Sequence, residues 1–166
     1  MKLIRLFTLV LMTCFFSNAI AQEAFPTANL KTLDGASVST DDFVKNGKIT
    51  VISFWATWCS PCKKELDAIA KIYPDWQKAY DMELIAVTID SKRALAKVGP
   101  MVKEKGWDYT VLSDLGGGTM MEPLKFQSVP MTFLLDQEGN IVYKHNSYKA
   151  GDELELEAKI KALAGK

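Results

Sequence analysis

The stretch that decides the fold follows a predicted strand and opens a predicted helix, and it reads Phe54-Trp55-Ala56-Thr57-Trp58-Cys59-Ser60-Pro61-Cys62-Lys63-Lys64-Glu65. The strand is Ile49–Trp55, whose β-branched and aromatic residues are typical of a buried central position in a sheet. A Cys-x-x-Cys pair in this context favours redox chemistry over zinc binding, because zinc would need two further Cys or His ligands. The only histidine, His145, lies on a predicted hairpin strand, and we interpret it as an ordinary surface residue.

The position of the two cysteines gives them different predicted roles. Cys59 lies at the start of the helix, where unpaired backbone N–H groups and the positive end of the helix dipole stabilise a thiolate and lower its pKa. We therefore expect Cys59 to be the exposed nucleophile. Cys62, one turn further along, is the predicted buried thiol that resolves a mixed disulfide. Pro61 suits the first helical turn, where its missing N–H costs little.

Length and composition restrict the class of protein. The chain has 166 residues, enough for one domain, with 48% apolar and 24% charged residues and a formal net charge of zero. The absence of a basic excess argues against a nucleic-acid partner. A disulfide that closes so short a loop removes little chain entropy, so redox chemistry explains the cysteine pair better than stabilisation does.

The first 21 residues predict a secretory signal peptide. Lys2 and Arg5 precede an apolar stretch that is shorter than a membrane span, and Ala19-Ile20-Ala21 supplies small residues for cleavage after Ala21. Residues 22–166 then form the mature domain. Cys14 also permits a lipoprotein interpretation, but Thr13 is bulky where such signals have a small residue, so we favour cleavage over lipid attachment.

Hydrophobic patterns along the chain predict an α/β fold with a central mixed sheet and helices on both faces. Residues 22–29 are a predicted extended lead-in, and a hairpin follows around Asp34-Gly35. A helix over residues 152–164 is the last predicted element. Thr40 is a predicted N-cap of a short helix. Pro74 should kink or break the helix that begins at Ser60, so that residues 75–80 either continue this helix or start a second one. A helix over residues 91–105 should be disturbed at Gly99-Pro100.

The middle strands complete the predicted sheet. They are residues 83–89 and 109–112, followed by a terminal hairpin of residues 131–135 and 141–145. A glycine run at residues 116–118 lacks the lysine and strand context of a phosphate loop, so it predicts no nucleotide site.

The motif resembles the thioredoxin superfamily, and its details resemble the exported TlpA/ResA-like branch. The resemblance runs from about Phe25 to the C-terminus and is carried by the stretch quoted above and by Val129-Pro130-Met131-Thr132-Phe133-Leu134-Leu135-Asp136. It implies a thioredoxin-like fold with an N-terminal β extension and a cis Pro130 against the cysteines. The Val129 backbone would then pair with an extended substrate peptide. The competing interpretation of Pro130 is a residue that opens an edge strand.

The resemblance also singles out a glutamate. Thioredoxin has a buried acid six residues before its first cysteine, where this chain has Ser53, which cannot transfer protons at neutral pH. Glu65 shares a helical face with Cys62, and the resemblance implies that it shuttles protons to the cysteines with a pKa raised by desolvation. The alternative is a solvated charge beside Lys63 and Lys64, which we interpret as exposed.

Two tryptophans flank the motif. Trp58 is expected to shape the substrate surface, whereas Trp55 fits a core position equally well.

The resulting functional hypothesis is an exported, periplasmic disulfide reductase without a cofactor. We expect it to be a monomer that acts on disulfide-containing exported proteins, with electrons from a membrane thiol carrier; the resemblance adds apocytochrome c cysteine pairs as a substrate class. The alternatives are an oxidant or isomerase of the same fold and, in another class, a Cu(I) metallochaperone. A peroxidase is disfavoured, because Thr57 lies two positions before Cys59 and not three.

Overall fold

The computed structural model describes residues 23–114 and 119–165, which form one sheet covered by helices. Its strands are β1 (Glu23–Ala24), β2 (Asn29–Thr32), β3 (Ser37–Ser39), β4 (Ile49–Trp55), β5 (Met82–Thr88), β6 (Thr110–Ser113), β7 (Met131–Leu135) and β8 (Asn140–Asn146). Its α-helices are α1 (Asp41–Val44), α2 (Ser60–Tyr80), α3 (Val98–Lys105) and α4 (Asp152–Leu163).

The sheet is mixed, as predicted. Its order is β1-β8-β7-β4-β5-β6-β2-β3. Strands β4, β5 and β6 are parallel, β7 is antiparallel to β4, and β8 is antiparallel to β7. The β2–β3 hairpin pairs with β6 and forms the predicted N-terminal extension. This arrangement is the thioredoxin-like fold that the sequence predicts, and it places β4 and α2 at the centre.

Strand β4 separates two hydrophobic cores because its side chains alternate between the faces of the sheet. Val51 and Trp55 pack with α2 and α4 on one face. Ile52 and Phe54 pack on the other face with α1 and the segment of residues 120–126. Ser53 is fully buried and faces the same side as Val51 and Trp55, towards α2.

At Pro74 the structure has the first of the two predicted alternatives: α2 continues to Tyr80, because Tyr73 and Trp76 on either side of the proline are buried in the core and hold the second half of the helix in place. Another helix differs from its predicted bounds. The helix predicted from Ser91 begins later: residues 91–94 form a turn, Leu95–Lys97 is a 3₁₀ turn, and α3 starts at Val98. Pro100 therefore lies in a first helical turn, where its missing N–H is tolerated.

The predicted cap of α1 is also wrong in detail. Thr40 precedes the helix, but its hydroxyl donates to the carbonyl oxygen of Pro26 and accepts from the N–H of Ala28. The side chain thus ties the N-terminal segment to α1.

Several predictions lie outside the described residues: the signal peptide of residues 1–21, Cys14 and the glycine run 116–118. Within residues 23–114 and 119–165, none of the helices combines the length and the apolar character needed to cross a bilayer.

Candidate active site

The two cysteines lie where β4 ends and α2 begins. Cys59 is the N-cap residue of α2, with an extended backbone, and it forms a disulfide with Cys62 across a Cα–Cα distance of 5.4 Å. The N–H of Cys62 donates to Cys59 Sγ at 3.2 Å, which is the contact that would stabilise a thiolate at this position. Cys62 is fully buried, as predicted. Cys59 is also buried, with only 4% of its surface exposed, so the prediction that Cys59 is an exposed nucleophile is wrong.

The loop of cis-Pro130 explains this low exposure. The Val129–Pro130 bond is cis, as the family resemblance implies, and Pro130 is buried. The carbonyl oxygen of Val129 lies 3.7 Å from Cys59 Sγ. The Val129 carbonyl therefore lies over the outer sulfur. The edge-strand interpretation of Pro130 does not apply, because β7 pairs on both sides.

A buried carboxylate that the sequence analysis missed fixes the turn before Cys59. Asp90 is fully buried and accepts hydrogen bonds from the N–H and the hydroxyl of Thr57, both at 2.8 Å, and from the hydroxyl of Thr88 at 2.7 Å. The available signal was its position just after β5, since parallel neighbours end at the same edge of a sheet. Lys63 donates to the carbonyl oxygen of Thr57 at 3.0 Å, so it is half-buried and anchored, whereas Lys64 is exposed as predicted.

The tryptophans of the motif have opposite environments. Trp58 is 68% exposed beside Cys59, whereas Trp55 is fully buried with its ring edge-on to Trp107 at 5.1 Å. Pro61 is exposed on the same side of the helix start. We call the surface formed by Trp58, Cys59, Pro61, Val129 and Pro130 the sulfur face.

Glu65 lies on α2 three residues after Cys62 and is not a solvated helix charge. It is only 4% exposed, and its carboxyl accepts hydrogen bonds from Thr132 Oγ1 at 2.7 Å and Ser53 Oγ at 3.1 Å. Burial raises the pKa of Glu65 to about 7, although these two hydrogen bonds act in the opposite direction. A carboxyl group with this pKa can both accept and release a proton near neutral pH.

The surroundings of Glu65 include His145, which corrects the interpretation of this residue as an ordinary surface group. Ser53, Thr132 and His145 are direct cross-strand neighbours on β4, β7 and β8. His145 is half-buried, and its Nε2 lies 3.0 Å from Asp152 Oδ2 on α4. We call Ser53, Glu65, Thr132, His145 and Asp152 the carboxyl pocket. Sequence reasoning found only Ser53 and Glu65 of this set.

Within residues 23–114 and 119–165, no three His, Cys, Asp or Glu side chains are grouped so that they could hold a metal ion.

The fold and the site define a class of protein: a thiol–disulfide oxidoreductase with a thioredoxin-like fold. ResA, a thiol-disulfide oxidoreductase of Bacillus cereus, is 31% identical over 140 residues, which cover 82% of this chain and 75% of its own length. A solved thioredoxin-like protein from Porphyromonas gingivalis is 39% identical, with a TM-score of 0.74 over 87% of this chain and 94% of that one. The thioredoxin domain of a thiol-disulfide oxidoreductase from Bacteroides vulgatus is 26% identical, with a TM-score of 0.68 over 87% and 99% of the two chains.

A family model gives the more particular assignment. The model of the AhpC/TSA family matches residues 21–144, and this chain belongs to that family. The relatives named above place it among the thiol–disulfide oxidoreductases, of the ResA type.

Proposed function

We propose that this chain is a disulfide reductase of exported proteins, in which Cys59 attacks, Cys62 resolves and Glu65 moves the proton. The observation that carries the proposal is the buried Glu65 carboxyl on the same helical face as Cys62, held by Ser53 and Thr132. Its pKa of about 7 suits a group that takes a proton from one thiol per cycle.

The proposed reaction begins with the reduced pair. The Cys59 thiolate attacks a substrate disulfide, which forms a mixed disulfide and releases one substrate thiolate that takes a proton from water. Cys62 then gives its proton to ionised Glu65 and attacks Cys59 Sγ. The Cys59–Cys62 bond forms, the bond to the substrate breaks, and the second substrate sulfur leaves as a thiolate. Two electrons pass from the cysteine pair to the substrate.

Two features near the sulfurs support reduction of substrates over their oxidation, and they oppose the stabilisation that the start of α2 gives a Cys59 thiolate. Ser60 and Pro61, between the cysteines, carry no charge, so no cation there stabilises the thiolate form. An ionised Glu65 opposes a nearby thiolate, which stabilises the disulfide relative to the dithiol. A pair whose reduced form is less stabilised has a lower reduction potential and is a stronger reductant.

The shape of the sulfur face supports a protein substrate. Trp58 offers an exposed aromatic surface beside the reactive sulfur, and the Val129 backbone lies next to the same sulfur at the start of a strand. An extended peptide would pair with the backbone at Val129 and lay a side chain on Trp58.

The proposed location and partners depend on the sequence of the first 21 residues. A cleaved signal would place the domain outside the cytoplasm, in the periplasm of a cell with two membranes, where oxidised cysteines are common substrates. There the pair needs a membrane thiol carrier to return it to the dithiol state. Cysteine pairs of apocytochromes c, which must be reduced for haem attachment, are the proposed substrate class.

The test is the reduction potential of the Cys59–Cys62 pair. The full chain would be equilibrated with glutathione or dithiothreitol and followed by tryptophan fluorescence, with Cys62→Ser as the control that cannot form the disulfide. A potential near that of thioredoxin, about −270 mV or lower, supports the reductase. A potential near about −120 mV would show an oxidant of newly exported proteins and would overturn the proposal.

A further inference from the structure

We propose that His145 and Asp152 form a proton outlet for Glu65, a route to solvent that is separate from the sulfur face. The inference rests on the proposed function, since it concerns the proton that Glu65 takes from Cys62. It assigns a role to a histidine and an aspartate that the cysteine chemistry itself does not use.

The first argument is the arrangement of the residues across the sheet. Thr132 donates to Glu65 Oε1 at 2.7 Å, and His145 is the direct cross-strand partner of Thr132 on the adjacent strand β8. Neighbouring strands are about 4.8 Å apart, so the imidazole lies one strand beyond the hydroxyl that holds the carboxyl. His145 is thus near Glu65 and closer to the surface.

The second argument is a small cavity between these groups. It is bounded by Glu65 and Thr132 on the inner side and by Tyr143, His145, Asp152 and Glu153 on the outer side. Ile69 and Leu156 complete the lining, and the size of the cavity allows roughly one water molecule, whose polar partners would be the side chains named above. None of the sulfur-face residues lines this cavity, so a protein docked at the cysteines would leave it open.

The third argument is the hydrogen bonding of the imidazole. His145 Nε2 lies 3.0 Å from Asp152 Oδ2, and the same oxygen is fixed by the N–H of Lys149 at 2.7 Å. On the other side of the ring, Nδ1 lies 3.4 Å from the hydroxyl of Tyr143, whose proton is donated to Glu155 at 3.2 Å. Each ring nitrogen therefore faces an atom that can accept a hydrogen bond, so the ring can take a second proton without losing a partner.

Several titratable groups surround His145 and its hydrogen-bond partners. The titratable groups that face it or its partners come from α2, β8, α4 and the loop before α4, and they are Glu65, Tyr143, Asp152, Glu153, Glu155, Tyr148 and Lys149. Carboxylates dominate this set. The set contains the ammonium group of Lys149, and a second ammonium group, that of Lys159, lies 5.6 Å from the ring centroid of Tyr143.

The outlet has a purpose in the proposed cycle. A substrate held as a mixed disulfide covers the sulfur face at the moment when Cys62 gives its proton to Glu65. The proton then passes from the Glu65 carboxyl to neutral His145 through one water, and from the imidazolium to bulk solvent. Glu65 returns to its ionised form, and no electrons move in this step.

Nuclear magnetic resonance tests the link without any activity. His145 is the only histidine in the chain, so one imidazole C2–H resonance reports its titration. In the full-length disulfide form, this resonance should titrate in two steps, because Glu65 and His145 influence each other's protonation. In Glu65→Gln the curve should become a single step. Identical curves in the two proteins would overturn the proposal.

Kinetics tests the outlet itself. Release of substrate from a preformed mixed disulfide at Cys59 would be followed in the full chain, with His145→Gln, whose amide keeps a donor for Asp152 but carries no extra proton. We expect release to slow about tenfold, less than the direct loss of a general base. Imidazole should restore the rate of His145→Ala several-fold. Tyr80→Phe is the matched structural control. It removes a different hydrogen bond to α4, the one from the Tyr80 hydroxyl to Glu157.

A double variant separates the two proposals. If the outlet acts through Glu65, His145→Gln should cause no further loss in a Glu65→Gln background. If Glu65→Gln alone has no effect on release, the proposed role of Glu65 fails. If Glu65→Gln slows release but His145→Gln releases substrate at the wild-type rate, only the outlet fails.

Discussion

The sulfur face and the carboxyl pocket both include residues from the first two turns of α2, yet they are assembled in different ways. Three residues of the sulfur face, Trp58, Cys59 and Pro61, fall within four positions of the chain, and one loop at Val129–Pro130 completes it. The carboxyl pocket takes one residue from each of five elements: β4, β7, β8, α2 and α4. The reactive group is thus local in sequence, whereas the groups that would set its protonation come together only in the tertiary structure.

The two regions also differ in exposure, and this difference predicts different consequences of mutation. Trp58 is 68% exposed, whereas Glu65 is 4% exposed. Substitutions on the sulfur face should therefore change the handling of substrate with little effect on stability. Substitutions in the carboxyl pocket should change the pH dependence of both activity and folding.

The largest expected effect belongs to the cysteines. Cys59→Ser should lower disulfide reduction at least about a thousandfold, because the nucleophile is lost. Cys62→Ser should keep the attack but trap the substrate as a mixed disulfide, since no thiol resolves it. Mass spectrometry of the full chain with a disulfide peptide distinguishes the two variants. A trapped adduct in Cys59→Ser and none in Cys62→Ser would reverse the assigned roles.

The second prediction concerns the rate with Glu65→Gln. Loss of a proton acceptor at this position should slow the resolving step about a hundredfold at pH 8, where most Glu65 carboxyls are ionised. The wild-type rate should rise with pH through about pH 7, and the variant should lose this rise. The matched control is Asp67→Asn, on the same helix but bonded to Trp107 and Lys105. An unchanged pH profile in Glu65→Gln would show that the carboxyl takes no part.

The third prediction is a dependence of stability on pH from the same group. The pKa of Glu65 is raised from 4.5 to about 7, so the folded state binds the extra proton between these values. The stabilisation is complete below about pH 4.5 and is lost as pH rises through about 7, a decrease on the order of 3 kcal/mol. Urea unfolding at pH 5 and pH 8 should show this decrease in the wild type and a smaller one in Glu65→Gln. An equal decrease in the free energy of unfolding between pH 5 and pH 8 in both proteins would contradict this prediction.

His145 shows why half of the carboxyl pocket could not be predicted from sequence. The β7–β8 hairpin was predicted, but its register contains a bulge between Leu134 and Leu135. With regular pairing from Leu135 and Ile141, Thr132 would face Lys144, and His145 would point to the opposite side of the sheet. One extra residue in the strand therefore brings the histidine to Glu65. Nothing in the local pattern of apolar residues marks such a bulge.

The sulfur face was predictable because its information is local. The spacing of Cys59 and Cys62 between a strand and a helix indicates redox chemistry, and the segment from Val129 carries the resemblance that implies the cis bond at Pro130. What sequence could not give was the degree of burial of Cys59, which depends on the approach of a loop 70 residues away.

Asp90 supports the sulfur face from below the surface, because it binds Thr57 in the turn that precedes Trp58 and Cys59. Thr57→Val removes one hydroxyl bond to this buried carboxylate, and Thr57→Ser retains it. We expect Thr57→Val to lower the free energy of unfolding by about 2 kcal/mol, because a hydrogen bond to a charged group is lost in a buried site. Thr57→Ser should lie within about 0.5 kcal/mol of the wild type in urea unfolding. A larger loss in Thr57→Ser than in Thr57→Val would contradict this and assign the stabilisation to packing of the methyl group.

The smallest expected effect separates the two tryptophans of the motif. Trp58→Ala should raise the KM for a disulfide peptide several-fold with kcat nearly unchanged, because an exposed ring contributes binding surface and no chemistry. Its free energy of unfolding should change by no more than about 0.5 kcal/mol. Trp55→Ala removes a fully buried ring and should lower stability by about 3–5 kcal/mol. Steady-state kinetics should give Trp58→Phe a KM close to that of the wild type, because this variant retains an aromatic ring. A fall in kcat for Trp58→Ala, with KM unchanged, would instead place the ring in the reaction itself and remove the distinction between a face that binds and a pocket that moves protons.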